Sequence, residues 1–125
     1  MNADQASFDM LYLIASSDGE VDESELDVIK DFIADHYQQS FRQDEELMLL
    51  LSMSPQERKE RFAEAVRFLK DELDEDNKRL MLDFALSMIT ADLEVHPHEI
   101  DYFNMIGDIW DVDVKEFVRE KMGGG

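Results

Sequence analysis

Apolar residues recur along this chain at helical spacing. Phe8, Leu11, Tyr12 and Ala15 fall at i, i+3, i+4 and i+7, which predicts the buried face of a first helix. Gly19 breaks that pattern in a turn. Asp22 and Glu25 then form a D-x-x-E capping signature for a second helix, with Leu26, Ile29, Ile33 and Tyr37 on its inner face. After the polar stretch QQSFRQD comes a short apolar segment around Leu47–Leu51. Ser54, Pro55 and Glu57 supply a cap, a first-turn proline and a third-position acid for a fourth element that buries Phe62, Val66, Leu69 and Leu73. Beyond the acidic hinge DEDN, Leu80, Met81, Phe84, Ala85, Met88 and Ile89 mark another helix. A second turn at Asp92–Val95 leads to Pro97, which opens a helix presenting Ile100, Phe103, Ile106 and Trp110. Asp113 caps a last short helix with Val114, Phe117 and Val118. Alternation of period two is sustained nowhere. The expectation is therefore an all-α, compact bundle of six or seven helices.

The two turns are related. Shifting the chain by 74 positions aligns Asp18 with Asp92, Glu20 with Glu94, Val21 with Val95, Glu25 with Glu99 and Asp27 with Asp101. Leu26 falls on Ile100 and Ile29 on Phe103, so the inner face repeats as well. This predicts an internal pseudo-twofold repeat of acidic helix–turn–helix units. Two capped helix starts would look alike at Glu25 and Glu99, but capping does not explain Asp18 and Asp92 on the preceding turns.

Composition and charge narrow the function classes. With 125 residues, 44% of them apolar, the chain suits a single folded domain, expected over 1–122, with a flexible glycine tail at 123–125. There is no cysteine, so disulfides, thiolate metal sites and cysteine nucleophiles are excluded. No apolar run approaches the roughly 18–20 residues that cross a bilayer, and the acidic N-terminus lacks a secretory signal's basic region. A cytoplasmic, bacterial-style domain without direct membrane insertion is expected. The net charge is −19 and unevenly spread: residues 58–79 balance seven bases against seven acids, whereas 83–113 carry eight acids and no Lys or Arg. Such a field repels nucleic acid and anionic lipid and attracts cations or basic proteins. Of the eight methionines, most lie on or beside the helix faces and read as core filling.

An apolar helix ending in IASSDGEVDESEL, and a later copy ending in MITADLEVHPHEIDYF, resemble the TerB-like family, the tellurite-resistance domain. The same domain type occurs at the N-terminus of a DnaJ-like membrane co-chaperone. The resemblance spans roughly residues 5–118, and the second motif departs from the first with Leu93 where Gly19 stands. It implies a helical bundle with neighbouring acidic turns that hold a metal ion, and a role in tellurite and other stress resistance.

Neither turn is an EF-hand. That loop needs oxygen ligands at its first and third positions, which here would be Ile14 and Ser16, and in the second copy the first position is Met88. A site shared between the copies fits better. Asp18, Asp22, Glu25, Asp92, His96 and Glu99 are its candidate ligands, for a divalent cation of the calcium, magnesium or manganese type, with zinc less suited. The competing account has Asp22 and His96 as N-caps, Glu25 and Glu99 as capping-box acids, and His98 and His36 simply exposed.

Read this way, the chain is a non-enzymatic interaction module with protein partners, basic ones favoured. One alternative is a metal-dependent enzyme using the acidic and histidine residues. Against it, the chain has no phosphate loop, HExxH pair or nucleophile elbow, and no Glu-x-x-His for a di-iron bundle. The other alternative is an acidic adaptor that holds a basic protein by charge alone.

Overall fold

A computed structural model describes residues 2–17, 21, 23–36, 42–90 and 97–121. They form seven helices: α1 (Ala3–Ala15), α2 (Glu23–His36), α3 (Gln43–Ser52), α4 (Pro55–Glu72), α5 (Glu75–Thr90), α6 (Pro97–Trp110) and α7 (Val114–Lys121). Among the described residues there is no strand, so the chain is all-α, as its periodicity predicts.

The helix boundaries follow local chemistry. Ser54 accepts from the Glu57 backbone N–H at 3.2 Å, and the Glu57 carboxylate accepts from the Ser54 N–H at 2.9 Å, a reciprocal capping box that starts α4 at Pro55. Asp74 caps α5 through the Asn77 N–H, and Asp113 caps α7 through the Glu116 N–H. The α6–α7 corner is a Schellman turn. Asp111 has a left-handed φ of 56°, and the Val112 N–H reaches the Gly107 carbonyl at 3.0 Å. Gly107 is required there, because a Cβ would sit 2.7 Å from Val114 Cγ1 and 2.9 Å from the Val112 carbonyl oxygen.

Helix α1 is the centre of the bundle. It packs chiefly on α4, then on α2, with α5, α3 and α6 completing the ring. Ten consecutive residues, Ala6–Ala15, are therefore buried, although the spacing predicted a single inner face. Aromatic pairs tie the outer helices together. Phe32 of α2 stacks on Phe84 of α5, Phe62 of α4 meets Tyr102 of α6 edge-on, and Phe103 of α6 lies against Phe117 of α7. Trp110 is a core residue whose indole N–H donates to the Val66 carbonyl at 2.8 Å.

The internal repeat is not confirmed by this packing. Helices α1 and α2 lie side by side, whereas α6 packs chiefly on α4 among the described residues. Ile100, expected on the inner face of α6, is exposed, and Tyr102 is buried instead.

Candidate functional site

The acidic turns frame the first candidate. Asp18, Asp22, Asp92 and His96 lie outside the described residues, as does the side chain of Glu99. Glu25 is described. It is the third residue of α2, which begins at Glu23; Glu99 is likewise the third residue of α6, which begins at Pro97. Both acids thus hold the position a capping box requires, where a carboxylate also meets the positive end of the helix dipole. Among the described residues, no group of three or more His, Asp or Glu is arranged to hold a metal ion.

The C-terminal end of α1 and the first half of α6 nevertheless border one space. Ser17, the residue before Asp18, lines an open hollow of about 430 Å³ together with Pro55, Gln56 and Lys59 of α4 and Tyr102 of α6. Ser17 turns its hydroxyl back to donate to the Ile14 carbonyl at 2.7 Å, finishing α1. Tyr102 is buried against Phe62. Burial pushes its phenol above the ordinary value of 10.0, and the nearby Arg58 opposes this. Tyr102 lies five positions after Pro97, a rise of about 7.5 Å at helical spacing. The entry to the first turn and the helix after the second therefore border the same hollow.

A second cluster is buried between α1, α3 and α4. Asp9 sits within the apolar run of α1 with no exposed side-chain surface. Arg61 of α4 donates through Nε to Asp9 Oδ2 and through Nη2 to Glu46 Oε1 of α3, both at 2.8 Å. Gln5 of α1 donates to the other Glu46 oxygen at 2.8 Å. One guanidinium thus faces two carboxyl groups in a low-dielectric setting, where two like charges are costly.

The proton distribution follows from that crowding. Burial pushes Asp9 up to about 9, and its hydrogen bond and repulsion with Glu46 add to the shift against the pull of Arg61. Burial also raises Glu46, but hydrogen bonds from Asp9, Arg61 and Gln5 outweigh it and hold the carboxyl below its ordinary range. Asp9 is thus the neutral member near pH 7, and Glu46 carries the charge that Arg61 balances. Asp9 Oδ1 accepts no hydrogen bond, and Oδ2 is taken by Arg61. This arrangement clamps α1, α3 and α4 together through one guanidinium. The one available clue was Asp9 itself, an acid directly before the unbroken apolar run Met10–Ala15.

Comparison with known families decides the larger question. Residues 4–122 match the family described as tellurite resistance protein TerB. The chain belongs to the TerB family. Searches of curated proteins and of solved structures matched nothing. TerB membership covers nearly the whole chain, and the seven-helix bundle with no strand among its described residues is the form this TerB chain takes. Among the described residues, no helix is long and apolar enough to cross a membrane.

Proposed function

We propose that this chain is a non-enzymatic, cytoplasmic TerB module of the tellurite-resistance and stress-response type, which recruits protein partners through an acidic surface assembled by a divalent cation. The cation is shared by the two turns, with Asp18, Asp22 and Glu25 contributed by the first and Asp92, His96 and Glu99 by the second. The observation that supports this reading is the hollow that Ser17, next to the first turn, and Tyr102, on the helix after the second, both border. The net charge of −19 supports a basic partner and a hard cation alike. Glu25 and Glu99 at third helical positions serve capping and ligation together, since a carboxylate has two oxygens with lone pairs to spare.

The test is a melting experiment on chelated protein titrated with calcium, magnesium, manganese and zinc. A cation held by the folded state alone stabilises by about 2.7 kcal/mol at a hundredfold excess over Kd. Asp18→Asn and Asp92→Asn are each expected to abolish the rise in Tm. No rise with any of the four ions sinks the shared site. Partner binding that collapses with salt and ignores chelator would instead favour an adaptor working by charge alone.

A further inference from the structure

The segment Leu47–Leu51 of α3 is apolar on both sides, and the fold uses only one of them. Its sequence QDEELMLLLS contains five consecutive apolar residues. Leu50 enters the core and Leu47 packs at its margin. Met48, Leu49 and Leu51 remain 72%, 44% and 55% exposed. Among the described residues only two other large apolar side chains are exposed, Val28 on α2 and Ile100 on α6, so three of the five crowd onto two turns of one helix. A helix apolar all round is ordinarily buried all round, and an exposed apolar cluster of this kind marks a contact surface.

The face is held rigidly. Glu46 is fixed by Arg61 and Gln5, and Arg58 donates to the Leu50 and Leu51 carbonyls at 3.2 and 3.4 Å. Helix α3 therefore presents its outer side without reorganising, which lowers the entropy lost on binding.

We propose that this outer face of α3 is a docking site for an amphipathic helix with basic flanks, belonging to a partner protein. Charge selects that occupant. Residues 43–52 carry three acids and no Lys or Arg, and the exposed Asp44 and Glu45 lie one helical turn before Met48 and Leu49. Across the junction, α4 adds the exposed carboxylates Glu57, Glu60 and Glu64. Of the local cations, Arg42 is paired with Glu45, Arg61 with Asp9 and Glu46, Arg58 is directed at the carbonyls, and Lys59 borders the hollow with Ser17 and Tyr102. A second copy of this chain would bring another −19 to the contact and be repelled, as would an anionic membrane. A helix carrying apolar anchors at i, i+3, i+4 and i+7 between lysines or arginines meets both the apolar stripe and its acidic rim. The inference rests on the interaction-module reading but not on the shared cation.

The experiment uses the full chain in chelator and two designed helical peptides with the same leucine face, one flanked by lysines and one by glutamates. The lysine peptide is expected to bind and to shift backbone amide resonances concentrated in residues 44–52, while the glutamate peptide does not. Met48→Ser and Leu51→Ser are each expected to weaken binding about tenfold, with circular dichroism unchanged. Binding whose footprint lies elsewhere and ignores Met48→Ser overturns the α3 assignment while leaving an interaction module. No binding of either peptide overturns the α3 proposal. Self-association at rising concentration that Met48→Ser abolishes makes a second copy the occupant and also overturns the proposal. Because chelator is present throughout, none of these results depends on the cation site.

Discussion

Helices α1 and α3 touch each other and treat their side chains in opposite ways. In α1 a carboxylic acid, Asp9, is wholly buried, while in α3 the apolar Met48 stands mostly in water. The cause is position. Helix α1 is ringed by five others, so every direction around it is interior and even its acid has nowhere to reach solvent. Helix α3 rests on the rim of that ring, mainly against α1, and half its circumference is outside whatever residues occupy it. Burial therefore forces chemistry on α1, where Asp9 must stay protonated or find a cation. On α3 it leaves chemistry free, and the apolar outer face serves something other than folding. The two are coupled through Glu46, the only acid of α3 that is buried among those described.

The largest expected effect comes from removing the cation between them. Arg61→Met keeps much of the side-chain volume but strips Asp9 and Glu46 of their shared guanidinium. Breaking a buried ion pair on one side typically costs about 3–5 kcal/mol, because the remaining charge is left uncompensated. Urea unfolding at pH 7 measures it. A loss below about 1 kcal/mol, the range of an exposed pair, would mean that the clamp is open to solvent, and the contrast with α3 would fail at its buried end.

The pH dependence comes next. Below the ordinary value of 3.8, Asp9 is protonated in folded and unfolded chains alike; from there to about 9 only the folded chain keeps the proton. The unfolded state binds fewer protons over that window, so stability falls as pH rises, by up to about 1.4 kcal/mol per unit from this group. Glu46 has the opposite sign. Its lowered pKa contributes stability that is present above the ordinary 4.5 and lost as pH falls through the folded value. Together they favour mildly acidic conditions. Asp9→Asn mimics the protonated acid, and is expected to leave stability near pH 5 little changed and to flatten the decline toward pH 9. Melting curves across that range decide it: an equally steep decline in Asp9→Asn would place its origin elsewhere among the surface acids.

How much of this could be read in advance divides along the same line. Caps are local, so Ser54–Glu57 and Asp113 were legible as helix starts, and the third-position placement of Glu25 and Glu99 followed from spacing alone. Faces were legible where a helix has one, as at Ile29 and Ile33 of α2. They were not legible where neighbours lie on several sides. In α5 the buried set is Met81, Leu82, Ala85 and Leu86, with Leu80, Phe84 and Met88 at its margin, a rotation that only the surrounding helices determine. The clamp joins residues 52 and 15 positions apart, so no window of sequence contains it. For the candidate cation site, sequence spacing singled out the two acidic segments, which lie almost wholly outside the described residues, and the hollow beside Ser17 adds only that Ser17 and Tyr102 border one space.

The smallest expected effect is the most direct probe of the α3 side. If its outer face contributes nothing to the fold, Met48→Ser removes apolar surface that water already covers, and no cavity forms. Surface substitutions of this kind stay within about 0.5 kcal/mol, and the weaker helix propensity of serine accounts for a few tenths of that. Thermal melting at low protein concentration is the measurement, since dilution keeps any partner copy away. A loss of about 2 kcal/mol or more, the scale of a truncated core side chain, would mean that Met48 is packed in the isolated chain. The difference between α1 and α3 would then be one of degree, and the apolar face would belong to the fold rather than to a partner.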